Sequence, residues 1–143
     1  LCLGVERAEF DGQLAMRLES VVDPTAEGQY RFTLQPGRVA QLDWRPTLRD
    51  LCQDLRRGAS PGNVAMRFHR TMAAGIFEVC RQRADLPVVL SGGVFQNRVL
   101  TELLYDLWAD SSRPICGPGV IPPGDGGLAA GQLAAAMAWE DDR

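Results

Sequence analysis

Val88-Val89-Leu90-Ser91-Gly92-Gly93-Val94-Phe95-Gln96-Asn97 is the stretch that decides the fold. Its first three residues are too few and too uniformly apolar for a surface strand, which predicts a parallel strand covered on both faces. The strand ends in Ser91-Gly92-Gly93 and feeds a helix expected from about Gln96 to Trp108, with Val99, Leu100, Leu103, Leu104 and Leu107 on its inner side. A strand that ends in glycines and runs into a helix presents backbone N–H groups and the positive end of the helix dipole to an anion. Gly92 and Gly93 allow close approach and positive φ, and the amide of Asn97 stands where it could reach a sugar or a base. Alone, the glycine pair is a weak signal, because turn geometry accounts for most such pairs.

A second unit of the same kind follows. Pro114-Ile115-Cys116 reads as a short strand, Gly117 to Gly124 as a loop rich in Gly and Pro, and Gly126 or Gly127 to about Trp139 as a helix rich in Ala and Leu. Asp125 stands directly before this helix. It can cap the first turn by accepting from an unpaired N–H, or it can serve as a hard oxygen ligand that holds a divalent cation against phosphates. The spacing leaves both open.

Upstream, Gly12 to Val22 carries a helical stripe of Leu14, Leu18, Val21 and Val22, ended by Asp23-Pro24. Tyr30-Arg31-Phe32-Thr33-Leu34 alternates and stops at Pro36-Gly37, as a strand does. Asp43 or Arg45 to Arg57 is bounded by Pro46 in its first turn and by Gly58. Ser60-Pro61 then opens the most regular helix, with Val64, Phe68, Met72, Ile76, Val79 and Cys80 at spacings of three and four. His69, the sole histidine, supplies neither a triad nor a metal cluster by itself and reads as structural or partly exposed. Trp44, Trp108 and Trp139 read as packing residues.

The 143 residues suit one domain, and 45% apolar with 23% charged residues is an ordinary globular composition. A net charge of −3 offers no basic field for nucleic acid, and the pairs Arg56-Arg57 and Arg81/Arg83, interleaved with Asp54 and Asp85, read as solvated helix faces. The four cysteines form no C-x-x-C pair, which predicts reduced, mostly buried thiols and no disulfide framework. No membrane span or cleaved leader is evident, so a cytoplasmic location is the default expectation. The apolar start at Leu1 is expected to be a cut through a longer polypeptide, with residues 1–143 forming one lobe of a larger domain.

Val89 to Leu100 resembles, almost letter for letter, the V-L-S-G-G-V-F-Q-N-x-x-L segment of the HypF carbamoyltransferases. Gly124 to Gln132 resembles their N-D-G-G-L-A-L-G-Q, and Ala65 to Met72 their A-A-R-F-H-N-T-L. Phe10 to Met16 resembles Y-E-G-Q-A-A-M, and Asp43-Trp44-Arg45-Pro46 also falls in family order. The resemblance therefore covers nearly the whole chain. It implies an α/β fold, the second lobe of an actin, sugar kinase and Hsp70-like (ASKHA, RNase H-like) architecture, with parallel strands and packed helices. The chain would be the C-terminal lobe of a Kae-like domain.

The resemblance further implies that carbamoyl phosphate and ATP give carbamoyl adenylate, and that the carbamoyl group passes to the C-terminal cysteine of HypE on the way to the cyanide ligand of [NiFe] hydrogenase. By position, Gly12, Ser91, Gly92, Gly93 and Asn97 would contact ATP and Asp125 would bind a divalent metal. The implied partners are a HypE-like acceptor and an N-terminal lobe that carries the metal-binding histidine pair, with neither nucleic acid nor membrane involved. Two positions depart from the family wording. Arg17 replaces a Glu after the Met, a donor for an acceptor, and Gly124 replaces the Asn before the metal Asp. The alternatives are a non-catalytic docking module derived from this lobe and a related tRNA threonylcarbamoyl transferase lobe, whose glycine loop is worded differently.

Overall fold

The structure, a computed structural model, describes residues 2–37, 39–83, 86–117 and 119–141. Leu1 at the chain start, Asp85 beside the Arg81/Arg83 pair and Pro118 in the glycine and proline loop lie outside the described residues. Five helices, α1 (Gln13–Ser20), α2 (Arg45–Arg56), α3 (Pro61–Arg81), α4 (Arg98–Trp108) and α5 (Leu128–Asp141), are described with four short strands. The strands are β1 (Thr33–Gln35), β2 (Gln41–Asp43), β3 (Val88–Val89) and β4 (Ile115–Cys116), and single 3₁₀ turns precede α4 and α5 at Gly93–Gln96 and Asp125–Gly127. β3 and β4 run parallel, with Val88 opposite Ile115, and the chain between them climbs through α4. The α/β class and the strand, glycine turn, helix order expected from the sequence are both present.

The longest element is also the best specified. The Ser60 hydroxyl accepts from Asn63 N–H at 3.2 Å and Pro61 occupies the first turn, so α3 starts where an N-cap and a fixed φ coincide. Its apolar face packs against α4, and Ala73, Val88, Leu90, Leu100, Leu104 and Trp108 form the core. The Phe77 ring meets the Trp108 indole edge-on at 4.6 Å between centroids, an arrangement favoured by the ring quadrupoles. Arg113 closes the far end. Its guanidinium lies 5.5 Å from the Trp108 ring centre and donates to the carbonyls of Cys80 and Arg83, each at 2.9 Å, which satisfies acceptors at the end of α3.

A second layer covers the first half of α3. Arg67 binds Asp54 of α2 at 2.6 Å and the Glu27 carbonyl at 2.9 Å, and Arg70 donates to the Ala26 carbonyl. Thr47 is buried in α2 and donates to the Arg31 carbonyl at 2.6 Å.

Several expectations need correction. Tyr30 is not in a strand; its N–H donates to Thr71 Oγ1 at 2.8 Å, and its buried hydroxyl lies without an aligned partner. Burial, and then the charge of Asp54, push that phenol's ionisation upward. The strand begins at Thr33 and pairs with β2, a three-residue strand too short to show an alternating pattern before α2 begins. Val88 is buried but Val89 is 69% exposed, so β3 is covered on one face here and not on both. Leu14 and Leu107 are exposed, and Gln13 is the residue of α1 that is buried. Cys2, Cys52 and Cys80 are half-buried and Cys116 is exposed, so the thiols are not mostly buried. Trp108 packs as expected and Trp44 meets Phe32 at 6.2 Å, but Trp139 is 77% exposed. No helix among the described residues is long and apolar enough to cross a membrane.

One pair on this scaffold gives an acid-stability prediction. Asp50 accepts from Arg31 Nη2 at 2.6 Å and from Arg31 Nε at 2.9 Å. That bond, with smaller backbone and charge contributions from Arg31, lowers its carboxyl from an ordinary 3.8 to about 2. Between those values the unfolded chain binds more protons than the folded one, so the contribution is complete above about pH 4 and is lost as pH falls through about 2. The melting temperature of Asp50→Asn should therefore fall less than that of the parent over this window. Parallel acid limbs would contradict the assignment.

Candidate functional site

The two glycine turns sit at the carboxyl ends of the parallel strands β3 and β4, the end at which open parallel sheets receive ligands. They face one another across a cleft of about 710 Å³, with Ser91, Gly92 and Gly93 on one wall and Gly124, Asp125 and the first turns of α5 on the other. The turns are tied together by Gly92 N–H, which donates to the Pro123 carbonyl at 2.6 Å. Gly92 can do this because its backbone stands at φ 101°, ψ 160°, a region open to glycine and strained for other residues. Leu90 N–H, two residues earlier, donates to the Cys116 carbonyl at 2.8 Å. The strand ladder thus hands the loop over in a fixed register.

On the second wall, the chain doubles back so tightly that a Cβ on Gly127 would run into the Pro122 carbonyl and sit 3.0 Å from Ile121 Cγ2. Asp125 is the first residue of the 3₁₀ turn and is exposed; its carbonyl accepts from Leu128 N–H, and its carboxylate makes no hydrogen bond among the described residues. The capping role open to it from sequence is therefore not taken up here. The carboxylate faces the cleft as a free oxygen donor, while the first N–H groups of each turn have no acceptor within the turn itself.

The remaining sequence candidates are placed differently. Asn97 does not line the cleft. Its Oδ1 accepts from Leu100 N–H at 2.8 Å, capping α4, and its Nδ2 lies 2.9 Å from His69 Nε2. Gly12, with φ 79°, caps α1 and lines a separate hollow of about 370 Å³ formed by residues 8–15. That hollow shares no lining residue with the cleft. Ser91, Gly92, Gly93 and Asp125 are therefore brought together, whereas Gly12 and Asn97 are not part of the same wall.

Two connections escaped the sequence. Glu19 Oε1 accepts from Arg98 N–H at 2.7 Å, so α1 caps the start of α4 from 79 residues away. A carboxylate there suits the positive end of the helix dipole. His69 is 4% exposed and its Nδ1 lies 2.8 Å from the Ala65 carbonyl. The sequence signal for it was a polar residue on an otherwise apolar helix face. Arg17, two residues before Glu19, is exposed. Among the described residues no three His, Cys, Asp or Glu side chains cluster as a metal site would require.

Comparison with known proteins bears on this geometry. A family model described as carbamoyltransferase, Kae1-like domain, second subdomain, matches residues 1–132. The chain is 34% identical over 143 residues to carbamoyltransferase HypF of Rhodobacter capsulatus, covering 96% of this chain and 18% of that protein. It is 30% identical over 134 residues to carbamoyltransferase HypF of Synechocystis sp., covering 92% of this chain and 17% of that protein. Among solved structures, full-length HypF in a phosphate- and nucleotide-bound form is similar with a TM-score of 0.82 and 29% identity, over 90% of this chain and 21% of that one. HypF of T. kodakarensis matches with a TM-score of 0.72 and 23% identity, over 90% of this chain and 17% of that one, which speaks to the fold. The chain spans less than a fifth of the length of these curated relatives.

Proposed function

Because this chain belongs to the HypF carbamoyltransferase family, as the second subdomain of its Kae1-like domain, we propose that its cleft is one wall of an ATP site used for carbamoyl transfer. Family membership replaces the tRNA threonylcarbamoyl transferase alternative. The observation that carries the reading is the pair of glycine turns, tied by Gly92 N–H to the Pro123 carbonyl, at the carboxyl ends of parallel strands. Support also comes from a similar HypF structure that is described as phosphate- and nucleotide-bound.

In this reading water first cleaves carbamoyl phosphate to carbamate and inorganic phosphate, and the carbamate then reacts with ATP to form carbamoyl adenylate. An oxygen of the carbamate unit attacks the α-phosphorus and pyrophosphate departs. The carbamoyl carbon is then taken by the thiolate at the C-terminus of a HypE-like acceptor, which releases AMP. No side chain of this chain needs to act as a nucleophile. Its residues position and neutralise: the first N–H groups of the two turns are donors for phosphate oxygens, and fixed donors are most effective where charge develops. Asp125 offers one hard oxygen donor, so a divalent cation there would draw its other ligands from phosphate, water and an N-terminal lobe outside this chain. When bound, the cation supplies charge neutralisation at the phosphates.

The test is calorimetric titration of MgATP into this chain, alone and with the rest of the family's domain supplied in trans. Binding should be weak or undetectable alone and should strengthen on reconstitution. Asp125→Asn should weaken the reconstituted binding about tenfold, in line with loss of one charge-assisted contact, and should reduce its dependence on Mg²⁺. Absent binding after reconstitution would overturn the reading. Arg17 favours a second one, a module that docks a partner without binding nucleotide. Failure of Arg17→Glu to raise affinity, together with no binding by the reconstituted parent, would support it.

A further inference from the structure

The structure assigns His69 a part that the cleft alone does not reveal: we propose that it is a positioning residue, which holds Asn97 as the cap of α4 and so fixes the glycine loop. The proposal rests on the reading of the loop as a ligand-binding element, but the geometry that carries it does not involve a ligand.

Three contacts leave a single self-consistent arrangement of protons. The Ala65 carbonyl, 2.8 Å from His69 Nδ1, can only accept, so Nδ1 carries the hydrogen. Leu100 N–H can only donate, so the oxygen of the Asn97 amide faces it at 2.8 Å and the nitrogen faces the imidazole. His69 Nε2, 2.9 Å from Asn97 Nδ2, is then the acceptor of an N–H from the amide. Reversing any one of the three sets donor against donor or acceptor against acceptor. His69 is the neutral Nδ1–H tautomer, and Asn97 is held in one flip state by α3 from 28 residues away.

Asn97 also ends the 3₁₀ turn Gly93–Gln96, and its N–H donates to the Val94 carbonyl. A tilt of its side chain is thus transmitted to the turn that forms the cleft wall. Because His69 is 4% exposed, it cannot touch a ligand itself. Its polar contact with the cleft-bearing segment is through Asn97.

The experiment exploits the fact that His69 is the sole histidine of the chain, so ¹⁵N NMR of selectively labelled protein reports one imidazole. At neutral pH we expect a protonated Nδ1 and an unprotonated, hydrogen-bonded Nε2. The opposite tautomer, or an imidazolium, would overturn the proposal. In Asn97→Asp the cap is kept but a carboxylate replaces the donor, and Nε2 should become protonated; an unchanged ring spectrum would also overturn it.

His69→Leu should speed hydrogen exchange of the Leu100 amide about tenfold and weaken reconstituted MgATP binding by up to about tenfold, the scale of one buried hydrogen bond. His69→Gln, which retains an acceptor, should stay within about threefold of the parent on the same scale. Equal losses in the Leu and Gln variants would refute a role through acceptance. If His69→Leu does not fold, the ring spectra of the parent and of Asn97→Asp decide. If the reconstituted parent binds no nucleotide, the proposed function fails while the ring and exchange data still decide the positioning role.

Discussion

Trp108→Ala should cost about 3–5 kcal/mol of folding stability, the range for removing a large aromatic side chain from a core. Trp108 ends α4 with 3% of its surface exposed and is held on two sides, by the edge of Phe77 and by the guanidinium of Arg113. Truncation opens a cavity between α3 and α4. It also removes the platform under Arg113, whose two bonds to the Cys80 and Arg83 carbonyls close the end of α3. Against a typical stability of about 5–15 kcal/mol, that is a large fraction, and it should appear in urea unfolding as a lower midpoint. Trp108→Phe should restore part of it. A loss below about 1 kcal/mol for the alanine variant would mean that the α3–α4 core is not packed as described.

Gly127→Ala should have the largest effect on the cleft while its neighbour tolerates the same change. A methyl on Gly127 meets the Pro122 carbonyl, which is backbone and cannot step aside without moving residues 122–127. Overpacking of this kind costs about 1–3 kcal/mol, and the displaced wall should lower reconstituted nucleotide affinity at least about tenfold. On Gly126 the same methyl would lie 3.6 Å from Pro122 Cγ, an ordinary contact, so Gly126→Ala is the matched control. Gly92→Ala separates a further cause. Nothing lies within 4 Å of its added methyl, and its penalty of about 1–3 kcal/mol comes from the φ of 101° alone. Equal affinities of the Gly126 and Gly127 variants would remove this wall from the binding site.

Which parts of this arrangement could be read beforehand follows from how far apart the interacting groups lie along the chain. The helices were legible because their signals are local: Ser60-Pro61 starts α3, and its apolar residues recur within one turn of one another. The turn at Ser91-Gly92-Gly93 and the helix after it were legible for the same reason. Of the β1–β2 hairpin, β1 was legible in part from the alternation up to Leu34, whereas β2 was not, because a three-residue strand carries too little alternation to register. Exposure of Val89 and Trp139 was misread because an apolar residue announces that it is to be covered, and not by what. In the candidate site, Gly92 and Gly93 were legible as residues that permit close approach of an anion, and Asp125 as a cap or a cation ligand. The bonds from Glu19 to Arg98 and from His69 to Asn97 were not, since each joins residues that only the tertiary fold brings together.

α5 has a thermodynamic consequence for any affinity measured on this chain. None of its side chains described by the structure is fully buried, so little beyond the intrinsic helix preference of its alanines supports it, and Gly131 subtracts about 1 kcal/mol from that. A helix of 14 residues held in this way is marginal in water. Its amides should exchange with solvent orders of magnitude faster than those of α3, since opening it exposes almost no core. A ligand that needs the first turn of α5 in place is then bound by the ordered fraction of molecules alone, and its apparent dissociation constant is the intrinsic one divided by that fraction. A surface that covers Leu133, Met137 and Trp139, all exposed here, would tighten the binding of such a ligand without touching it.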